Sequence, residues 1–144
     1  MPDREEVPAE VVESLSEVCL RLPDGYEEPA WVGTRWRIRG RTFAHVVRVA
    51  EGWPPVYARV VASAVGGNQP VTVLTFESTG LELAALQRAG PPFFDPPWRP
   101  TIVGMVIDDT VDWDEVGELL TESYRMLAPA RLVDALDWLA DPQS

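Results

Sequence analysis

Residues 31–46, WVGTRWRIRGRTFAHV, carry Arg35, Arg37, Arg39 and Arg41 at every second position. Successive side chains of an extended chain alternate faces, so a period of two marks strand rather than helix. Gly33-Thr34 and Gly40 interrupt the run, and the spacing predicts three short strands near 28–32, 35–39 and 42–49 joined by tight turns. In the middle strand Trp36 and Ile38 point one way and Arg35, Arg37 and Arg39 the other, with Arg41 in the turn. In the third, Phe43, His45, Val47 and Val49 share one face, and Thr42, Ala44, Val46 and Arg48 share the opposite one.

Helical patterns flank this meander. Val11, Val12, Leu15, Val18, Cys19 and Leu22 recur on one helical face, and Pro23-Asp24-Gly25 ends a helix expected over 9–22. Pro54-Pro55 can open a short helix through Val61 or belong to an irregular loop closed by Gly66-Gly67, and both readings stay open. Residues 71–77 and 102–107 are β-branched enough for strands. Thr79 with Glu82 forms a capping box for a helix reaching Ala89. Between them GPPFFDPPWRP, with five prolines, reads as a stiff loop. Asp112 with Glu115 caps a helix over 113–127 whose apolar positions are Val116, Leu120, Tyr124 and Leu127, and a last helix follows Pro129.

These elements make an α+β chain in which strands 28–49 form a meander and the helices of residues 9–22 and 113–127 pack on the sheet by their apolar stripes. The 144 residues suit one domain, 1–144 with a core of about 9–140. No apolar run nears the roughly 20 residues of a membrane span. The acidic start MPDREEVPAE does not suit a secretory signal, so a cytoplasmic protein is expected. The single Cys19 cannot form an intramolecular disulfide and falls on the apolar stripe, where it reads as a packing thiol.

Charge is distributed unevenly. Residues 29–50 hold five Arg and no acid, whereas the rest of the chain holds 7 Arg against 23 acids, for a net charge of -11. Strand geometry sets alternate arginines about 6.6–7 Å apart, comparable with phosphate spacing along a nucleic-acid strand. Pairing of those arginines with Glu27, Glu28 or acids of the last helices explains the same pattern and carries more weight. The acids at 108–115 lack calcium-loop spacing, and helix capping accounts for Asp112, Asp114 and Glu115. His45, the one histidine, has no second His to complete a metal site and reads as a structural residue beside the sheet or a pocket lining. Ser123 is not on a nucleophile turn, and no nucleotide-binding loop is present in the sequence. No enzyme activity, cofactor or metal is therefore expected.

The segments CLRLP (19–23), YEEPAWVG (26–33), RTFAHV (41–46) and WDEV followed by SYRMLAP (123–129) resemble the MmcQ/YjbR family, from about Val11 to Leu132. The resemblance implies a YjbR-like α+β fold, a twisted antiparallel sheet with helices packed on it, related to frataxin-like and secretion-chaperone-like folds. It also implies the DNA-binding label that the family carries for its double-wing arrangement. The candidate anion or nucleic-acid site is Arg35, Arg37, Arg39 and Arg41. The rival is a protein or peptide module whose pocket or interface uses Trp31, Trp36, His45, Phe94, Trp98 and Arg99. A small-molecule-binding protein comes third. Expected partners are accordingly DNA or a protein and not a membrane, with a monomer as the default state.

Overall fold

The computed structural model describes residues 6–67 and 69–140. In chain order the elements are α1 (Ala9–Cys19), β1 (Tyr26–Pro29), β2 (Thr34–Ile38), β3 (Arg41–Val49), α2 (Pro55–Ala64), β4 (Val71–Glu77), α3 (Gly80–Ala89), β5 (Phe93–Phe94), β6 (Ile102–Ile107), α4 (Trp113–Leu127) and α5 (Ala130–Ala140). The strands form one sheet in the order β1-β2-β3-β4-β6-β5, with antiparallel neighbours throughout. This is an α+β arrangement, and among the described residues no helix is long and apolar enough to cross a membrane.

Period-two burial sorts the sheet into two faces. On one, Leu15 and Cys19 of α1 and Val116, Leu120 and Tyr124 of α4 pack over Trp36, Ile38, Val46, Leu74, Phe76, Val103 and Met105. On the other, Val61 of α2 packs over Val47, Val49 and Val73 beside Phe94. Burial of side chains of this size contributes roughly 1.5–3 kcal/mol each relative to exposure. Cys19 is fully buried, and desolvation, reinforced by the charge of Glu27, pushes its thiol far above the usual range.

Several boundaries differ from the sequence expectation, each for a local reason. The first strand runs 26–29 rather than 28–32, because Ala30 N–H donates to Gly33 O at 3.0 Å and closes a turn. Gly33 has φ +76°, and a Cβ there would lie 1.9 Å from Val46 O, so only glycine lets this turn approach β3. Arg39 leaves the strand: it has φ 50° and forms the β2–β3 turn with Gly40, while Arg41 opens β3 instead of belonging to the turn. α1 stops at Cys19 and the chain continues in turns through Leu22. The open segment after Trp53 is helical, with proline at the start of α2, where its missing N–H is harmless. The proline loop contains β5, whose Phe93 and Phe94 pair with Met105 and Gly104. Asp112 caps α4 as expected, accepting from the N–H groups of Asp114 and Glu115. Thr79 stands at the N-cap of α3 without a side-chain bond, and Glu82 accepts instead from Ser78 Oγ at 3.4 Å.

The largest departure lies within β3. Trp36 pairs with Ala44 but Arg37 pairs with Thr42, so Phe43 is the extra residue of a β-bulge. Phe43 therefore turns to the helix face, away from His45, and its ring meets Tyr124 edge-on with centroids 5.6 Å apart. Its carbonyl accepts from Ser123 Oγ at 2.7 Å, and the same hydroxyl accepts from Glu77 N–H at 2.8 Å. Tyr124 Oη donates to Pro23 O at 2.7 Å and ties α4 to the turn before β1.

Ser123→Ala strands a buried N–H and a buried C=O together. We expect a loss of about 1–3 kcal/mol in urea unfolding, with Ser123→Thr less harmful than Ser123→Ala if the hydroxyl is what matters.

Candidate functional site

On the face away from α1 and α4, α2 covers only the part of the sheet where Val47, Val49 and Val73 lie. The adjoining part is left as the floor of an open groove of about 610 Å³, formed by Arg35, Thr42, His45 and Thr75. Trp31, Val32, Pro54, Tyr57, Trp98 and Arg99 make its walls and rim. The Gly33 turn places Trp31 and Val32 there, the first turn of α2 supplies Tyr57, and the proline loop supplies Trp98 and Arg99.

The rings form two contacts flanking the floor. Trp31 and Trp53 have centroids 6.3 Å apart, and Tyr57 and Trp98 have centroids 4.9 Å apart at an interplanar angle of 59°. Trp31 is 92% exposed and Trp98 42%, so much of this aromatic surface stays in water. His45 holds the two sides in register: its Nε2 donates to Val32 O at 2.6 Å, and its Nδ1 lies 3.5 Å from Tyr57 Oη. Because a carbonyl can only accept, this assigns the proton to Nε2. Desolvation lowers the His45 pKa below 6.5, against the Val32 bond and aided by the Arg35 charge, so the ring is neutral near pH 7. Burial raises the Tyr57 phenol above its ordinary value, so it remains a protonated hydroxyl.

Two guanidinium groups border the groove, each fixed by a carboxylate outside its lining. Arg35 Nε donates to Glu28 Oε1 at 2.7 Å, and Arg37 NH1 reaches the same oxygen at 3.1 Å. Desolvation pushes the Glu28 carboxyl up, but the hydrogen bonds and charges of Arg35 and Arg37 outweigh it and hold the group below its usual range. Arg99 donates to Glu77, whose side chain is 7% exposed and also accepts from Thr101 Oγ1 at 3.1 Å.

The arginine ladder is thus divided. Arg35 and Arg37 lie on the groove side of β2 and share Glu28, Arg39 in the turn pairs with Asp24 at 3.1 Å, and Arg41 is exposed at the start of β3. Of the pocket or interface candidates, Trp31, His45, Trp98 and Arg99 come together in the groove. Trp36 does not: it is fully buried under the helices, with its Nε1 donating to Glu27 at 2.8 Å. Nor does Phe94, which is buried against Gly104, where an added Cβ would lie 2.4 Å from the ring.

Tyr57, Trp53 and Thr75 are missed by sequence reasoning, although a signal for them exists. Between Glu28 and Glu77 the only acid is Glu51, so the acid-poor stretch extends well beyond residues 29–50 and includes α2 and β4. Among the described residues the groove accordingly has no Asp or Glu in its lining. Three other surface clefts each carry several: Glu13, Glu17 and Glu27 beside α1, Glu10, Asp108 and Asp109 at the sheet end, and Asp114, Glu115, Glu118 and Glu122 along α4.

The fold and its groove define an α+β protein with one helix-covered sheet face and one half-open face. Residues 20–126 match the protein-family model YjbR, and the chain belongs to the YjbR family. It is similar in structure to a protein from Pseudomonas syringae solved as a structural genomics target, with 11% sequence identity and a TM-score of 0.59. The likeness covers 79% of this chain and 96% of that one, and at such identity it concerns the fold. No curated protein matches the sequence.

His45 gives the site a pH signature. Its folded pKa lies below 6.5, so as pH falls through 6.5 the unfolded chain takes the proton first. The stability that neutral His45 contributes is complete above 6.5 and is lost as pH falls through the folded pKa. Urea midpoints measured at about pH 7.5 and about pH 5.5 should drop for the wild type by more than for His45→Gln, because this is the one histidine.

Proposed function

We propose that this YjbR domain is a binding module without catalysis of its own, and that it takes a short segment of a partner protein into the groove between Trp31, Tyr57 and Trp98. The observation that carries this reading is the exposure of Trp31 and Trp98 beside Arg35 and Arg99 on one concave surface. Trp, Tyr and Arg dominate the energetics of protein interfaces, and such clustered exposure marks interaction sites more often than scattered surface residues do. Neutral His45 is engaged with Val32 and, among the described residues, has no carboxylate beside it in the groove, which supports binding over acid–base chemistry.

Panning a displayed random dodecapeptide library on the immobilised protein tests this. Selected peptides should lose at least about tenfold in affinity on Trp98→Ala, the cost of a central aromatic anchor. Selection of nothing, or of peptides indifferent to Trp98→Ala and Tyr57→Ala alike, would overturn it.

Weak nucleic-acid binding by the arginine hairpin is the second reading, supported by the exposed Arg41 and by the absence of acids from residues 29–50. Glu28 and Asp24 offset two of the four ladder charges. Duplex binding through the hairpin would therefore show a log–log salt slope of about -2, at -0.9 per phosphate, rather than the -3 to -4 of four unpaired arginines. Anisotropy with a labelled duplex that responds to Arg41→Glu but not to Trp98→Ala would favour this reading over the groove.

A further inference from the structure

We infer that the segment taken by the groove is acidic, with an Asp or Glu carboxylate set beside an apolar or aromatic side chain, so that the carboxylate meets Arg35 and Arg99 while its neighbour covers Tyr57 and Trp98. This rests on the groove being the binding site, and it adds the charge and composition of the ligand.

Desolvation supplies the first reason. Any segment that lies in the groove removes water from two guanidinium groups, whose side chains are 36% and 57% exposed. Burying a charged donor without an acceptor is costly, so a neutral apolar segment would lose on Arg35 and Arg99 what it gains on the rings. A carboxylate supplies acceptors in the planar fork geometry that guanidinium prefers.

Among the described residues, neither arginine is fully satisfied from within the protein. Arg35 directs two nitrogens at a single oxygen of Glu28, which it also shares with Arg37, so that trio keeps one net positive charge. Arg99 gives one terminal nitrogen to Glu77. The Glu77 carboxylate is buried while the guanidinium is mostly exposed, which presents the positive end of the pair outward. Both cations are therefore held in position before a ligand arrives, which lowers the ordering cost of binding.

Charge complementarity supplies the second reason. The chain carries a net charge of -11, yet among the described residues no acid lines this groove and several line each of three other clefts. An acidic segment is repelled across most of the surface and accepted here, an arrangement that selects the site as well as the partner.

The test uses three peptide libraries with a shared randomised apolar core, flanked by Asp/Glu, by Asn/Gln or by Lys/Arg, panned on the full chain at low salt. The acidic library should be retained best, and individual acidic peptides should bind about fivefold or more tighter than their Asn/Gln counterparts, a margin that shrinks with added salt. Arg35→Gln should reduce that margin. Glu28→Gln removes the charge that offsets Arg35 and Arg37 while leaving an amide oxygen to hold Arg35, so the added net positive charge should widen the margin. Arg99→Lys keeps the charge beside Glu77 and avoids stranding that carboxylate, and it should weaken acidic peptides through the lost fork geometry. Equal retention of the neutral library, or preference for the basic one, would overturn the acidic assignment and leave the groove reading standing. Retention of no library above a Trp98→Ala control would overturn both.

Discussion

One hydroxyl group, Ser123 Oγ, holds together the place where the sheet changes character. At Phe43 a β-bulge shifts the register between β2 and β3, and where the β3–β4 pairing ends at Ala44 and Phe76, Ser123 reaches from α4 to bridge the Phe43 carbonyl and the Glu77 N–H. Buried backbone groups left without partners are among the costlier defects a fold can carry, so α4 and the bulge support one another. Tyr124, the next residue, packs its ring on Phe43 and bonds Pro23, extending the same clamp to the turn before β1. The SYRMLAP segment behind the family resemblance is thus a framework element rather than a site.

The groove follows from that clamp. Because Phe43 turns onto the helix face, Thr42 and His45 both border the open face, beside Thr75 of β4. α2 covers the farther half of that face, and the Gly33 turn brings Val32 close enough to receive the His45 bond. Glu28 and Glu77 sit outside the lining, and each fixes one arginine that does line it. Framework and site share residues: the N–H of Glu77 belongs to the Ser123 clamp, while its carboxylate orients Arg99.

Much of this was legible in the sequence because it depends on periodicity. The runs at 71–77 and 102–107, the Asp112 cap and the apolar stripes of α1 and α4 are local patterns, and they match the elements observed. Non-local facts were not legible. A bulge leaves no mark in a strand read by alternation alone, so periodicity places Phe43 on the wrong face. Arg39 in a left-handed turn looks like a strand residue until its tie to Asp24, fifteen positions away, is seen. Trp36 and Trp98 have the same side chain, yet one is buried beneath helices and the other caps a groove, a difference set by strand face and loop position. The sharing of Glu28 between Arg35 and Arg37 decides how much charge the ladder presents, and it depends on the β1–β2 register.

A chain of net charge -11 lines its aromatic groove with Arg35 and Arg99 and, among the described residues, with no acid, so the groove should be locally positive. Paired nitroxide probes of identical size, one anionic and one cationic, measure this directly through the paramagnetic relaxation of individual indole N–H protons. The anionic probe should relax the Trp31 and Trp98 indoles more strongly, and the cationic probe should dominate at Trp113, which lines clefts with Asp114 and Asp108. Stronger relaxation of the Trp31 and Trp98 indoles by the cationic probe would contradict the account.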